Sequence, residues 1–311
     1  MSRYIVKRLL MMIPVILGVT WFVFTLMYFT PGDPAQIILG ADATEQEIQE
    51  KREELGLNGS YLERFGTYLK QVFVDGDLGT SYIYNNSIAD EIAARFPNTF
   101  KIAAISVVLA VIIGLPLGVM AAVNQNTWKD NGSMFLALFG VSMPSFWFGM
   151  LMIWIFAVRC GWLPVAGSSS WKHVIMPTLT LAVGMSCYYI RRIRAVMVEQ
   201  LSEEYITGCR SRGIGRMKII FCHVLPNSLL AVVTMLGMSF GGLLGGTMIV
   251  ETVFSWNGIG QVCTTAISAR DYSLIQGYTM WMGFIYVIVN LLVDISYSFI
   301  DPRIRRGMSQ K

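Results

Sequence analysis

The chain has 311 residues, of which 54% are apolar or aromatic and only 14% are charged, and its formal net charge is +4. Soluble domains carry about 25% charged residues. The composition therefore excludes a disordered chain, a nucleic-acid-binding tail and an ordinary cytosolic enzyme, and it indicates a membrane protein. The five cysteines are scattered and odd in number, which argues against a disulfide framework.

Six uncharged runs are candidates for membrane-spanning helices, because about 20 apolar residues are needed to cross a hydrocarbon core of about 30 Å. The first run follows a basic cluster and is too long for the apolar part of a cleavable signal peptide, so we expect no such peptide. We predict an all-α membrane protein with six transmembrane helices, and both termini on one side. The runs are 9–29, 102–123, 134–158, 174–190, 228–250 and about 277–293.

The segments between these runs fall into two sets of opposite charge. Residues 1–8, 124–133, 191–227 and 301–311 sum to +10, whereas 30–99, 159–173 and 251–276 sum to −6. The positive-inside rule places the first set, and with it the N and C termini, in the cytoplasm. The chain then divides into a cytoplasmic N-terminus with the first helix (1–29), a long external loop region (30–99) and a core five-helix domain (100–311) that contains the cytoplasmic loop 191–227.

The external loop is long enough to carry its own structure. Thr44 followed by Glu47 forms a capping-box pattern, which predicts a helix over 45–55. Residues 61–74 show helical spacing with one apolar face, and 75–79 predicts a turn. This region is either a docking surface for an external partner or a lid packed over the bundle, and the residues alone leave both interpretations open.

The cytoplasmic loop 191–227 is basic and broken by glycines. Its pattern predicts a short helix that is capped by Ser202 and runs to Arg212, then a break at Gly213, then a second helix that stops at Pro226. A short helix presenting small residues between two spans would let a partner protein approach closely. The alternative is a basic loop that lies on anionic lipid headgroups.

Two stretches of this loop carry a recognisable pattern. Glu204-Tyr-Ile-Thr-Gly-Cys-Arg-Ser-Arg-Gly213 is followed by His223-Val-Leu-Pro-Asn227. The pair resembles the "EAA" loop of ABC importer permeases, with Thr207, Gly208 and Cys209 where many members have Glu-Ala-Ala. Tyr205, Arg210 and Gly213 are similar to the version found in the dipeptide, oligopeptide and nickel branch. Stretches along nearly the whole chain agree with that branch, among them Phe29-Thr-Pro-Gly-Asp-Pro34, Gly242-Leu-Leu-Gly-Gly246, Glu251-x-Val-Phe254 and Asp301-Pro-Arg-Ile-Arg305.

This resemblance implies a type I ABC importer permease fold and a B-type subunit in the plasma (inner) membrane of a bacterium or archaeon. It implies four kinds of contact: a second, paralogous permease, two ABC ATPases, an extracytoplasmic substrate-binding protein and the lipid bilayer. The expected cargo is di- or oligopeptides, and the alternatives are nickel or a metal chelate and a glutathione-like solute. The ATPase-coupling residues that it implies are Ser202, Glu204, Tyr205, Thr207, Gly208, Arg210, Gly213, Leu225 and Pro226.

The chain shows no signs of catalysis of its own. No lysine is preceded by glycine, so the G-x4-G-K-[ST] phosphate loop is absent. We expect no cofactor in this chain, with ATP and Mg bound by the partner ATPases. His173 and His223 fall on opposite sides of the membrane in the predicted topology, so we expect no metal site. A membrane-embedded enzyme and a stand-alone channel or carrier are the hypotheses from other classes, and we find no cluster of acidic or histidine residues at one interface to support the enzyme.

A few residues in or beside the spans are candidates for the translocation path or for the seam with the second permease. The glycines of the fifth run recur four apart, a spacing that lets helices approach closely either within this chain or across the seam. Glu251 would contact the binding protein or the substrate, or simply be solvated. Asp294 would act as a gate, or would be neutralised by the basic tail. The full set is Gly237, Gly241, Gly242, Gly245, Gly246, Glu251, Asn290 and Asp294.

Overall fold

The computed structural model describes residues 2–40 and 42–300, and gives the backbone alone for 2–9, 230, 294 and 297–300. The tail 301–311 and the side chain of Asp294 therefore lie outside the described part. The described residues fold into α-helices, with two π-helical turns over Ile153–Arg159 and Ile220–Val224. The helices are α1 (Ser2–Phe29), α2 (Pro34–Leu39), α3 (Glu45–Glu54), α4 (Tyr61–Phe73), α5 (Ile88–Val123), α6 (Trp128–Ser142), α7 (Ser145–Met152), α8 (Trp171–Leu201), α9 (Glu204–Ser211), α10 (Arg216–Ile219), α11 (Leu225–Leu244), α12 (Met248–Val253), α13 (Ile259–Ala269) and α14 (Tyr272–Ile300).

Four helices are long and apolar enough to cross a membrane alone: α1, α5, α8 and α14. Two further spans arise among the described residues only if each of two bent helix pairs is taken as one span. The first pair is α6 with α7 and its π-helical turn, bent by 97°, and the second joins 216–229 to 231–244 with a bend of 45°. Four of the six predicted runs thus lie in single helices of spanning length, the other two lie in bent helix pairs, and the count of six spans stays a prediction.

The third predicted run, 134–158, is not one helix. Helix α6 ends at Ser142, Met143 adopts an extended backbone (φ −78°, ψ 125°), and Pro144 precedes α7. The proline ring disfavours the helical conformation at the residue before it, and proline has no N–H to continue the helical ladder. The apolar residues of this run lie in helix on both sides of the break, and Pro144 divides the run in two.

Several helices extend beyond the apolar runs. The fourth run, 174–190, lies within the 31-residue helix α8, which continues through Arg191, Arg192 and Arg194. Helix α5 begins at Ile88 rather than at residue 102, so the division drawn at 99/100 falls inside it. Hydropathy marks the part of a helix that lies in lipid, whereas the backbone ladder continues into the polar regions on either side.

Helices α5 and α8 pack closely enough to form the centre of the bundle. A Cβ placed on Gly114 would lie 2.8 Å from the Cβ of Tyr189, and one on Gly118 would lie 2.9 Å from the Cβ of Ile193. Both glycines are buried, so the two backbones approach where no side chain separates them. This contact fixes the inner half of the bundle, on which the cytoplasmic loop rests.

The external region contains the two expected helices, each with a reciprocal capping box. Thr44 caps α3 through Glu47, as predicted, and Ser60 caps α4 through Glu63. The backbone N–H of Thr44, together with its hydroxyl, lowers the pKa of Glu47. Helix α4 packs against α1, where Phe24 contacts the rings of Phe65 and Tyr68. The single buried face predicted for 61–74 is only partly formed, because Leu62 is 76% exposed.

Candidate functional site

The loop 191–227 presents helix α9 on the surface of the bundle. Ile206 is its buried side chain, and it belongs to an apolar cluster with Met197, Ile219 and Val224. The hydroxyl of Tyr205 donates to Oε1 of Gln200 at 3.1 Å, and the hydroxyl oxygen of Tyr205 accepts from Nδ2 of Asn227 at 3.2 Å. The helix is therefore fixed both to the end of α8 and to the start of α11.

The outer face of α9 consists of small or polar residues. Thr207, Gly208 and Arg210 are exposed, and no other group lies within 4 Å of the position that a Cβ on Gly208 would take. Glu204 lies in the first turn of the helix and is also exposed. The predicted coupling residues of this stretch thus lie together on one short helix, with an open surface that another protein could cover.

Ser202 does not cap this helix, so that part of the prediction was wrong. Its hydroxyl donates to the carbonyl of Val198 at 2.7 Å and to that of Glu199 at 3.0 Å, which ends α8. The N-cap position of α9 is Glu203, and its side chain makes no capping hydrogen bond. A serine hydroxyl bonds readily to a carbonyl one turn back, and here that bond competes successfully with capping.

Pro226 does not end the second helix of the loop either. Gly213 turns the chain with φ +74°, and α10 then continues through the π-helical turn into α11. Pro226 stands in the first turn of α11, where the missing N–H is tolerated. Leu225 is half-buried and Pro226 exposed. One continuous helical path therefore leads from the loop into the fifth span.

A cavity of about 590 Å³ lies behind α9, between the inner ends of α5 and α8. Arg210 and Arg216 line it together with apolar residues such as Ile214 and Ile219. Nη2 of Arg216 donates to the carbonyl of Val123 at 2.6 Å. Since Val123 is the last residue of α5, this hydrogen bond ties the loop to the second span.

A buried ion pair at the same end of the bundle was not predicted. Asp130 is 1% exposed and accepts from Nε of Arg194 at 2.5 Å and from Nη2 at 2.7 Å. The bond joins the start of α6 to α8 across 64 residues of sequence. Lys129, the residue before it, leaves the segment 124–133 without net charge, so the sequence does not single out Asp130. A lone carboxylate on a strongly basic face was the signal that could have indicated a specific partner.

The glycines of α11 mostly contact helix α14 of the same chain. A Cβ on Gly237 would lie 1.8 Å from Cγ2 of Val293, and one on Gly245 would lie 2.1 Å from Cε of Met282. Gly241 faces Val289 in the same way, whereas Gly242 faces open space. Gly237, Gly241 and Gly245 therefore pack against a helix of the same chain, which is the first of the two predicted alternatives.

The fifth predicted run, 228–250, ends as a helix at Leu244. Gly246 then adopts φ +93°, a conformation that only glycine enters without strain, and the chain turns into the separate helix α12. A Cβ on Gly246 would lie 2.6 Å from the hydroxyl oxygen of Tyr278. That hydroxyl donates to the carbonyl of Gly245.

Glu251 is fully buried, so the solvated alternative is wrong. Its Oε1 accepts from the hydroxyl of Thr99 at 3.0 Å, and its Oε2 accepts from the backbone N–H of Gln261 at 3.0 Å. Gln261 lies in the first turn of α13, where a carboxylate is stabilised by the helix dipole. A Cβ on Gly258 would lie 2.5 Å from Oε2, so glycine is required there. Glu251 fastens α12 and α13 to α5.

A second buried carboxylate, Asp271, holds the external region to the last span. One oxygen accepts from the hydroxyl of Ser81 at 2.7 Å and from the backbone N–H of Tyr82 at 2.8 Å. The other accepts from the backbone N–H of Leu274 at 3.0 Å, which caps α14. Asp271 was not predicted as a site residue, because its partners lie about 190 residues earlier in the chain.

A cavity of about 570 Å³ opens beside this junction, between α1, the helices of the external region and the start of α14. Its lining combines tyrosine rings, such as Tyr68 and Tyr82, with Arg64. The guanidinium of Arg64 lies over the ring of Tyr28, 5.0 Å from its centroid. The external region is thus a folded unit with a concave polar surface.

The remaining candidates lie on α14. Asn290 is half-buried, and the side chain of Asp294, one turn further on, is outside the described part. Within the described residues, no three His, Cys, Asp or Glu side chains come together in a group that could hold a metal ion.

The described residues form a bundle of long apolar helices, with the short exposed helix α9 and a folded region between α1 and α5, which is the architecture of a multi-pass membrane protein. Two family models match almost the whole chain: binding-protein-dependent transport system inner membrane component over residues 114–306, and the N-terminal membrane component of the same system over residues 1–103. The chain belongs to this family, and it is an ABC importer inner-membrane permease of the peptide and nickel group. The family consists of multi-pass plasma-membrane transport permeases and not of enzymes.

Individual relatives agree with this assignment. The chain is 41% identical over 305 residues to the glutathione transport system permease protein GsiC of Escherichia coli K12, a match that covers 98% of this chain and 99% of the relative. The protein of the same name from Shigella boydii is 40% identical, and the match again covers 98% of this chain and 99% of the relative. Two inward-facing structures of the MetNI methionine ABC transporter have the same fold, with TM-scores of 0.53 and 0.59 at 18% and 17% identity, and each covers 68% of this chain and 96% of the solved chain.

Proposed function

We propose that this chain forms one half of the membrane pathway of an ATP-driven importer of short peptides. The observation that carries the proposal is α9, a helix anchored by Ile206 whose outer face of Thr207, Gly208 and Arg210 is left open. Such a helix can insert into a groove of a cytoplasmic ATPase. A paralogous permease would supply the other half of the pathway, and two ATPase subunits would bind the ATP and Mg.

The proposed orientation places both termini, the loop 191–227 and α9 in the cytoplasm, with six spans if each bent pair crosses once. The charges support this orientation, since the segments assigned to the inner side sum to +10. The external region 30–99 would then receive the substrate-binding protein. This region contains a cavity of about 570 Å³ and is anchored through Asp271. Both features suit a docking surface better than a simple lid.

Coupling follows from the connections of the loop. Closure of the ATPases would displace α9, and the continuous path through α10 and the π-helical turn would carry that displacement into α11. Arg216 would carry it into α5 through its hydrogen bond to Val123. Tilting of these spans would expose the pathway to one side of the membrane and then to the other. Gly242, Asn290 and Asp294 are the candidates for its lining or for the permease seam.

Glutathione is the second candidate substrate. It is favoured by relatives named as glutathione permeases, which match over 98% of this chain at 41% identity. Glutathione is itself a short peptide, so the two candidates differ in selectivity and not in architecture.

Reconstitution tests both candidates. The chain is placed in liposomes with its neighbouring permease, ATPases and binding protein, and the uptake of labelled dipeptide and of labelled glutathione is measured with ATP and without it. We expect ATP-dependent uptake of at least one of them, abolished by omission of the ATPases. Uptake by this chain alone would contradict the importer assignment, and ATP-dependent uptake of neither solute would contradict the peptide assignment.

A further inference from the structure

The cavity beside the end of α1 has the size of a small-molecule site. Its volume is about 570 Å³, which lies within the range of about 300–1,000 Å³ that is usual for ligand pockets. The end of α1, helix α4 and the start of α14 all contribute to its wall. Tyrosine side chains supply part of the lining, and they combine an apolar ring with a polar hydroxyl. They are Tyr28, Tyr68, Tyr82 and Tyr272.

The lining carries one unbalanced positive charge. Its charged residues are Asp33, Arg52 and Arg64. Nε and Nη2 of Arg52 each lie 2.7 Å from Oδ2 of Asp33, so these two charges compensate each other. Oδ1 of Asp33 also accepts from the backbone N–H of Ala35 at 3.1 Å, which caps α2 and holds the carboxylate in place. Arg64 therefore sets the net charge of the cavity.

The guanidinium of Arg64 is available to an anion. Arg64 is half-buried, and its side chain has no hydrogen bond or carboxylate partner among the residues that the structure describes. The guanidinium lies over the ring of Tyr28, 5.0 Å from its centroid, which positions the side chain without using its N–H donors. Those donors form a planar fork that matches the two oxygens of a carboxylate.

A second donor belongs to the same cavity. Tyr82 and Ser273 both line it, and the hydroxyl oxygen of Tyr82 accepts from the hydroxyl of Ser273 at 2.7 Å. Within the described residues, the O–H of Tyr82 has no acceptor of its own, so it can donate to a ligand. Burial raises the pKa of Tyr82, and the nearby charge of Arg64 works against that rise. The hydroxyl and the guanidinium are therefore close enough to act on one ligand.

The positive charge of the cavity is a local feature. Residues 30–99, which form most of the external region, contain 12 acidic and 5 basic side chains. The region as a whole therefore has no general attraction for anions. An anionic ligand would be held in the cavity beside Arg64 and not elsewhere on this surface.

We propose that this cavity binds the terminal carboxylate of a short peptide. The carboxylate pairs with the guanidinium of Arg64 and accepts from the hydroxyl of Tyr82, and the apolar groups of the peptide lie against the tyrosine rings. The choice of a peptide as ligand rests on the proposed import function. A peptide released by the binding protein would be retained here before it enters the membrane pathway.

Equilibrium binding tests the proposal on the assembled complex of permeases and ATPases in nanodiscs, with the binding protein omitted. The probes are radiolabelled trialanine and trialanine amide, which lacks the terminal carboxylate. The variants are Arg64→Gln and Tyr82→Phe. The matched control is Lys70→Gln, which removes the same charge from an exposed position of α4 that does not line the cavity.

We expect trialanine to bind about ten-fold more tightly than its amide, as a charge-assisted hydrogen-bonded pair would provide. Arg64→Gln should remove this preference, Tyr82→Phe should reduce it, and Lys70→Gln should keep it. Equal affinity for acid and amide in the unmodified complex would overturn the proposal. An unchanged preference in both cavity variants would also overturn it, and Tyr82→Phe keeps the test valid if Arg64→Gln fails to fold.

Two further measurements separate this proposal from its neighbours. If Arg64→Gln weakens docking of the binding protein and trialanine does not bind, the anion is an acidic side chain of that protein, and the proposal is overturned. ATP-dependent uptake of trialanine is measured in parallel with the binding protein present. Uptake without a carboxylate preference in binding would overturn this proposal alone, whereas binding without uptake would contradict only the proposed function.

Discussion

At the scale of single residues, two buried carboxylates join distant parts of the chain. Glu251 and Asp271 are both fully buried, and each accepts hydrogen bonds from parts of the chain far away in sequence. A buried charge is costly unless it is hydrogen-bonded, so both are stabilised by backbone N–H groups at a helix start. Glu251 was noticed only because it lies beside a span, and Asp271 was missed.

We expect Asp271→Ala to release the external region from α14. It leaves the hydroxyl of Ser81 and the backbone N–H of Tyr82 without their acceptor, and each buried donor left unsatisfied costs about 1–3 kcal/mol. Hydrogen exchange should accelerate at residues 81–83 and at the start of α14. Asp75→Ala, at an exposed position, is the matched control and should leave exchange there unchanged. Unaltered protection in the Asp271 variant would contradict the tether.

The glycines of α11 provide a paired prediction. Gly237→Ala should destabilise the permease by about 1–3 kcal/mol, because its Cβ would overlap Val293. Gly242→Ala should be neutral or slightly stabilising, since nothing lies within 4 Å and alanine favours helix. Thermal unfolding in detergent compares the two variants, and equal stability would show that α11 and α14 do not pack as described.

At the scale of helices, the sequence predicted where helices exist better than where they end. Helix covers all six apolar runs except for the breaks at 143–144 in the third and 245–247 in the fifth. Helices α5 and α8 are longer than their runs because arginine and lysine remain compatible with helix outside lipid. Pro144 breaks a run, whereas Pro226 opens a helix, since the effect of proline depends on whether it stands in the first turn. No local pattern distinguishes these cases without the neighbouring helices.

Helix α9 carries the prediction for coupling. We expect Gly208→Trp to abolish copurification of the ATPases while the permease pair still folds, because Gly208 is exposed and a Cβ there has no neighbour within 4 Å. Lys129→Trp places equal bulk at an exposed position of the other cytoplasmic loop and should leave the complex intact. Retention of the ATPases by the Gly208 variant would show that α9 is not the contact.

At the scale of the whole molecule, the net charge is distributed unevenly, and this distribution predicts the orientation in the membrane. Its division into an inner set of +10 and an outer set of −6 follows from the residues alone. The position of α9 could not be predicted from the residues alone, because the contacts that hold the loop 191–227 join distant parts of the chain. Arg194 meets Asp130 across 64 residues, and Arg216 meets Val123 across 93. A single sequence contains no signal for such pairs beyond the presence of the charges.

The native cysteines test the orientation directly. Cys160 and Cys222 are both free and exposed, and the proposed topology places them on opposite sides of the membrane. A membrane-impermeant maleimide should modify Cys160 in right-side-out vesicles and Cys222 only in inverted ones, as read by peptide mass mapping. The Cys160→Ser variant confirms the assignment of the labelled peptide. The reverse pattern would place the basic loop outside and exclude the proposed orientation.

The length of α5 has a mechanical consequence. Its 36 residues extend about 54 Å, well beyond a hydrocarbon core of about 30 Å. Its outer end, Ile88, is packed against Gly277, and its inner end is held by Arg216. We expect a helix of this length to transmit a displacement of one end to the other. Pro97 and Pro116 lie within it, and prolines are the usual sites of sharp bends in helices, so we expect any bending of α5 at these two residues.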